Sequence, residues 1–324
     1  MSSKYIEVNR SVLTLAIGKK LYLDMAFNLA RSFRLWHHGS DIEFHLVTDH
    51  EAPTPPDLAF IRRVQKSSKE MARGFSSKLH LDQLAPAAKT LFIDSDCLCV
   101  RNLDGVFQRF AGQAVSVVGA MKSEGEWFGD IRSRCQQYGV AAVPVFVGAV
   151  YYLEPGETCT RVFETARKAE GEYDEAGFIR LRGVPNEEPL ISVGMAQAGC
   201  KPIADDGRVK VDAMYWEKIS LSLITGKSEV LMPKMGLVQP ALYHFMSSWA
   251  EKPPYNTQVM LIKLVKQYKL PYCLSITLVN MTILYPNIIY QMLKKTLRPM
   301  YRKIFGVRKI KASLRLPSVE NNNI

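Results

Sequence analysis

The 324-residue sequence predicts an α/β protein: a mostly parallel sheet flanked by helices, with a basic and hydrophobic helical extension at the C-terminal end. Three observations carry that prediction. Apolar, strand-like runs alternate with segments of helical spacing across residues 11–198, the order that lays parallel strands beneath crossover helices. One of these runs, Leu91-Phe92-Ile93, stops at Asp94-Ser95-Asp96, as a buried strand does at the sheet edge where open α/β folds bind ligands. Residues 251–324 hold 13 Lys and Arg against Glu251 and Glu320 alone, so the net charge of +11 resides there and the first 250 residues balance. The chain thus reads as a neutral domain over 1–255 and a tail over 256–324 that meets something anionic.

In chain order, residues 11–17 form a first strand, and Tyr22 to Trp36 a helix whose Met25, Leu29, Phe33 and Trp36 share one face. Residues 42–48 alternate into a second strand ending at Asp49; a Pro-rich loop (52–56), a strand at 58–64 and a helix around 77–84 follow. The strand that ends in the acidic pair comes next, then a strand-like run containing Cys97 and Cys99, then a strand at 114–119. Residues 121–142 are polar, glycine-containing and weakly periodic, and read as a loop or lid. Val143 to Leu153 is a strand closed by the turn Glu154-Pro155-Gly156, and 157–170 and 188–198 are helical. The longest early apolar run, Val12 to Ile17, is too short for a signal-peptide core, and the six cysteines lack metal-ligand spacing. A reduced, cytoplasmic protein is expected.

Asp94 and Asp96 are the residues with the most chemistry in them. In an extended segment, side chains at i and i+2 point the same way, so both carboxylates can face one hard cation whose open positions a substrate phosphate fills. An ordinary strand-to-loop turn explains the same triplet, and spacing alone leaves the two readings level.

The surrounding residues separate them. The segment SKLHLDQLAPAAKTLFIDSDCLCVRNLDGVF (77–107) resembles the core of the family 8 retaining glycosyltransferases, the group of glycogenin and the bacterial lipopolysaccharide glucosyl- and galactosyltransferases. The resemblance spans about thirty residues without a gap and implies a GT-A-type, Rossmann-like fold. It implies that Asp94 and Asp96 hold Mn²⁺ (or Mg²⁺), that Ser95 and Lys78 lie against the diphosphate of a nucleotide-sugar donor, and that this donor is a UDP-sugar. The opening LTLAIGKKLYLDMAFNLARSFR (13–34) is similar to the family's entry segment, with one residue inserted. That similarity assigns the uracil to Leu15, Ala16, Ile17 and the Tyr22 ring; a helix-start aromatic packed on the core remains the other reading of Tyr22.

Leu242-Tyr243-His244-Phe245 followed by Lys252-Pro253 looks like the family's His-Phe and Lys-Pro-Trp tail, where the His completes the metal shell and the Lys meets the diphosphate. The family's Gly is absent there, Lys252 stands two residues further from the His, and Pro254-Tyr255 replaces the Trp. An imidazole beside carboxylates suits Mn²⁺ better than Mg²⁺. In Val145-Phe146-Val147-Gly148-Ala149 the family's Gly survives as Gly148, but its donor-contacting Asn does not. Glu187 and Glu188 stand where the family has Asp and Gln; they are helix-terminal caps, sugar-hydroxyl binders, or, in an inverting enzyme, the catalytic base.

The resemblance therefore implies hexose transfer to a glycan or lipid-linked acceptor with retention of configuration. Two alternatives are a catalytically impaired membrane-associated scaffold of the same fold, and a nucleotidyltransferase; no Gly-rich, Arg-containing phosphate loop follows the first strand, which weighs against the second. Residues 270–293 carry no charge over 24 positions, enough to cross a bilayer, although Pro271, Pro286, Asn280, Asn287 and Gln291 interrupt them. Ile289, Leu293, Leu297, Met300, Tyr301 and Ile304 form one stripe and Lys294, Lys295, Arg298, Arg302 and Lys303 fall largely elsewhere, the pattern of a helix at an anionic membrane surface. The expectation is a cytoplasmic enzyme peripheral at the inner face of a membrane, with no nucleic-acid partner.

Overall fold

The computed structural model describes residues 9–67 and 74–305 and divides into two units, residues 1–250 and 251–324. The first unit opens with strand β1 (Arg10–Ala16), helix α1 (Lys20–Trp36), strand β2 (Ile42–Thr48) and strand β3 (Arg62–Gln65). A 3-10 turn (Gly74–His80) leads into the short helix α2 (Leu81–Leu84), then β4 (Lys89–Ile93), β5 (Cys97–Cys99) and helix α3 (Asp104–Phe110). Strand β6 (Val115–Lys122), helix α4 (Ile131–Tyr138), β7 (Val143–Leu153), and helices α5 (Glu157–Gly171) and α6 (Glu187–Gln197) follow. Six further strands close the unit: β8 (Ile203–Ala204), β9 (Lys210–Asp212), β10 (Lys218–Ser222), β11 (Lys227–Met232), β12 (Gly236–Val238) and β13 (Leu242–His244).

Seven strands form the main sheet in the order β3-β2-β1-β4-β7-β6-β8. The β3-β2-β1-β4 half is parallel, whereas β7 runs antiparallel to both β4 and β6. Alternation along the strands builds two cores. Val12, Leu91 and Ile93 face α1 and α3 residues such as Leu29, Phe33 and Phe107, while Leu13 and Phe92 face α5 and α6 residues such as Phe163 and Ile191. Strands buried on both faces carry continuous apolar runs, which is why β1 and β4 are so readable in the sequence.

Three expected elements differ from what forms. The 121–142 segment is not a loop throughout: β6 runs to Lys122, and α4 occupies 131–138. Asp130 caps that helix by accepting the Ser133 N–H at 2.7 Å, and Gly139 ends it at φ 66°, where L-residues with a Cβ are strained. The strand expected at 58–64 starts only at Arg62, since Pro56–Leu58 is a 3-10 turn. The first half of the helix expected near 77–84 is 3-10 rather than α.

The second unit is helical in its described part: α7 (Tyr255–Ile262), α8 (Tyr272–Val279) and α9 (Tyr285–Phe305), with wider π-type turns at Lys263–Gln267 and Asn280–Leu284. Tyr272–Met300, 29 residues, is long and apolar enough to cross a membrane. Along α9 the side chains of Ile288, Ile289, Tyr290, Met292, Leu293, Leu297 and Met300 are all exposed.

Candidate active site

The site is built where β4 ends. Asp94 still takes part in the sheet, its N–H donating to Ala149 O on β7 at 2.9 Å, but the chain then turns: Cys97 N–H returns to Asp94 O at 3.0 Å. Residues 94–96 are therefore a turn rather than an extended segment, and strand alternation is not what aligns the two acids. The carboxylates of Asp94 and Asp96 and the imidazole of His244 nonetheless offer ligand atoms that all lie within 4.8 Å of one another.

A three-stranded sheet, β5-β13-β9, brings His244 there. Leaving the turn, β5 pairs antiparallel with β13 so that Cys97 faces His244, and Phe245 N–H donates to Asp96 O at 3.0 Å. On the other edge β13 runs parallel to β9, with His244 opposite Asp212 and Leu242 opposite Lys210. The His244 Nδ1 stands 2.7 Å from Asp212 Oδ1, and Lys210 Nζ donates to Asp212 Oδ2 at 2.7 Å. His244 Nε2 lies 3.3 Å from Asp96 Oδ1, a buried oxygen that accepts no hydrogen bond. Burial alone would lower the His244 pKa, but Asp96 and Asp212 outweigh it and raise it to about 10. Asp212 moves the opposite way: burial pushes it up, and Lys210 with His244 holds it far below the usual carboxylate range.

A second buried cation stands on the other side of Asp94. Lys78, at the end of the 3-10 turn before α2, has a side chain only 10% exposed. Its ammonium donates to Asp94 Oδ2 at 2.7 Å and to Gly148 O at 2.8 Å, and lies 2.9 Å from Glu187 Oε1. An ammonium has three donors, and all three have protein partners. Lys78 is thus turned to two carboxylates and a carbonyl. Burial would lower its pKa, but Asp94 and Glu187 together raise it well above normal.

Glu187 and Glu188 open α6, where Asn186 caps the helix by accepting the Glu188 N–H at 2.7 Å. Glu188 Oε1 accepts the Gly148 N–H at 2.8 Å, and the Tyr151 hydroxyl reaches Glu187 Oε1 at 3.4 Å. Burial, reinforced by Glu187, raises Glu188 to about 8, and burial likewise raises Glu187 against the pull of Lys78. Gly148 is where β7 meets these groups: a Cβ there would stand 2.5 Å from the Tyr151 hydroxyl and 2.9 Å from Glu187 Oε1. The residue at the place of the family's Asn, Phe146, is buried against Trp127 and Tyr151.

The β1–β4 register, Leu13 opposite Phe92, puts Leu15, Ala16 and Ile17 at the same sheet edge as the acidic turn. Leu15 and Ala16 are buried, and the Gly18 N–H beyond them donates to both oxygens of Asp49 at 3.0 and 3.2 Å. Tyr22, on the first turn of α1, is 39% exposed, so its ring does not serve as core packing. Ser95 is buried within the turn, and Lys252 belongs to the second unit. Asp212 and Lys210 escaped the sequence reading. Their signal was faint: Lys-Val-Asp at i and i+2 in a short run, an ordinary ion pair that nothing in the sequence ties to His244.

No family model and no curated protein sequence matches this chain. Among solved structures it is similar to galactosyltransferase LgtC in complex with donor and acceptor sugar analogs, at 13% identity, TM-score 0.50, over 73% of this chain and 87% of that one. The chain has the fold of a GT-A glycosyltransferase. It is also similar to an active-site mutant of LgtC (12% identity, TM-score 0.49, 73% and 87% covered) and to mouse xyloside xylosyltransferase 1 in its apo form (13%, 0.41, 63% and 87%). The expected α/β class is therefore the observed one, and the acidic turn follows a central strand at the C-terminal edge of the parallel half of the sheet.

Proposed function

We propose that the protein is a metal-dependent glycosyltransferase that moves a hexose from a UDP-sugar to a glycan or lipid-linked acceptor with retention of configuration. The observation that supports this most is the convergence of Asp94, Asp96 and His244 from the end of β4 and from β13. Two carboxylates and an imidazole, with the Asp96 Oδ1 lacking a hydrogen-bond donor, fit a divalent cation such as Mn²⁺. Bound there, such a cation supplies Lewis-acid neutralisation of a departing diphosphate.

The chain's own residues do the rest. Lys78 keeps Asp94 and Glu187 together in a buried space where two carboxylates alone would repel. Leu15, Ala16, Ile17 and Tyr22 supply a cradle for the uracil at the same edge, and Ser95 is assigned to the diphosphate. Glu188, protonated at neutral pH, and Gly148 line the position assigned to the donor sugar. In a front-face reaction the acceptor oxygen bonds to the anomeric carbon as the carbon–phosphate-oxygen bond breaks, and the acceptor proton passes to that phosphate oxygen. No side-chain base is needed. An inverting reaction would need one, and Glu188 at about 8 would serve only as the pH rises through that value.

The exposed apolar arc of α9, with Lys294, Lys295, Arg298 and Arg302 on its other side, supports peripheral attachment to the anionic inner face of a membrane. The test of the catalytic reading is a donor panel (UDP-glucose, UDP-galactose, UDP-N-acetylglucosamine, GDP-mannose) assayed for Mn²⁺-dependent hydrolysis with wild type and Asp96→Ala. Hydrolysis lost in the variant supports the assignment. Tight UDP binding without turnover by wild type points to a scaffold, and turnover retained by Asp96→Ala refutes the metal site.

A further inference from the structure

We propose that Asp212, pinned by Lys210, is a positioning residue that fixes the His244 ring with Nδ1–H toward itself and Nε2 toward the cation site. This rests on the metal reading above and adds to it a residue 32 positions from the imidazole it holds.

The argument is geometric. An imidazole can present either nitrogen to a cation, and the one presented is set by what the other nitrogen donates to. In this protein the choice is made by the backbone: the parallel β13–β9 register places His244 directly opposite Asp212, and the 2.7 Å separation fixes Nδ1 against Oδ1. Nε2 is then the nitrogen left on the side of Asp96, at 3.3 Å from its Oδ1. Asp212 cannot swing away, because its second oxygen accepts from Lys210 Nζ at 2.7 Å and both side chains are buried, Lys210 to 2% and Asp212 to 7% exposure. Lys210 and Asp212 alternate on one face of β9, so a strand of three residues carries both the orienting acid and the cation that restrains it.

A buried Lys–Asp pair would be a poor device for stability alone, since desolvation offsets most of its attraction. Its placement behind a histidine that faces two acids gives it a purpose: partners of this kind orient ligating imidazoles and typically change metal affinity by about 10–100-fold when removed.

The experiment is a Mn²⁺ titration of the full chain followed by the electron paramagnetic resonance signal of free Mn²⁺, with wild type, Asp212→Asn and Asp212→Ala, together with melting curves in chelator. Wild type should bind one Mn²⁺ at this site. Asp212→Ala should lose at least about tenfold in affinity and Asp212→Asn, which keeps an acceptor but not the charge, should fall between. A variant that binds Mn²⁺ as wild type does refutes the positioning role while leaving the metal reading intact. Absence of binding by wild type removes both. Should the variants fail to fold, wild type labelled with ¹⁵N and loaded with diamagnetic Cd²⁺ decides: His244 must show a protonated Nδ1 and a metal-bound Nε2, and the reverse pattern overturns the inference.

Discussion

Glu188→Gln isolates the electrostatic cost of a buried acid from its geometry. The Glu188 Oε1 accepts the Gly148 N–H at 2.8 Å, and a glutamine can keep that bond through its own carbonyl oxygen. What it removes is the charge. Burial, then the neighbouring Glu187, raises Glu188 from 4.5 to about 8, so the folded state holds a proton that the unfolded state has already released. The sign follows directly. A raised carboxyl stabilises the fold relative to its ionised form at low pH, and that advantage is lost as pH rises from 4.5 through about 8. Between pH 6 and pH 9 a single group shifted in this direction removes a few kcal/mol, in order of magnitude, from the unfolding free energy. The coupling to Glu187 and Lys78 spreads part of this, so about 1–3 kcal/mol is the expected range. Urea unfolding of metal-free wild type and variant at both pH values measures it; the titrations of groups not coupled to Glu188 cancel in the comparison. The variant should gain on wild type by that amount at pH 9 relative to pH 6. A wild-type-minus-variant difference that does not change with pH would show that Glu188 ionises normally, and the buried-acid argument would be wrong.

Other consequences are as concrete. Gly148→Ala inserts a Cβ 2.5 Å from the Tyr151 hydroxyl and 3.0 Å from Glu188 Cγ, so it should destabilise by about 1–3 kcal/mol and abolish donor hydrolysis, measured by melting and by UDP release. In chelator, the stabilisation that His244 contributes by ionising between Asp96 and Asp212 should be fully present below about pH 6.5 and lost as pH rises toward about 10; a His244→Gln variant should show a flatter melting profile over that window. Replacing Lys294, Lys295, Arg298 and Arg302 by Gln should weaken co-sedimentation with anionic vesicles by several kcal/mol in total, about 1 kcal/mol per residue, without changing the zwitterionic background.

The legible parts of the fold are those whose sequence signal is local. β1 and β4 are apolar because both faces are covered, and α1 repeats its apolar residues at helical spacing over 17 residues. α4 offers only eight residues, of which Ile131, Arg134 and Cys135 are the buried ones, too few for a period to emerge. β8 to β13 are two to six residues each, and two of them, β9 and β13, owe their place to pairing rather than to pattern. At the site the same division holds. Asp94 and Asp96 announce themselves at a strand end, but Lys78 gives no sign in the sequence that its ammonium is shared among Asp94, Glu187 and Gly148 O, 16, 109 and 70 residues away.

That sharing explains why a site so rich in acids can fold at all. Asp94, Asp96, Asp212, Glu187 and Glu188 are gathered in one buried region, and like charges in low dielectric repel strongly enough to prevent it. Three devices relieve the repulsion, each from a different element. Lys78 bridges Asp94 and Glu187, Lys210 holds Asp212, and Glu188 keeps its proton. Asp96 is held chiefly by a fourth group: its buried Oδ1 stands 3.3 Å from the Nε2 of the His244 ring, whose positive charge, with a smaller share from Lys78, lowers its pKa. An acid compensated chiefly by an ionised imidazole, which is restrained on its far side by Asp212, is an arrangement in which a divalent cation can take the place of the imidazole proton. Converting Asp96 to Asn should therefore lower the melting temperature of the metal-free protein, because the ionised His244 loses a partner, and remove the gain that Mn²⁺ gives wild type. A variant that keeps the full Mn²⁺ gain would show that Asp96 serves the fold and not the cation.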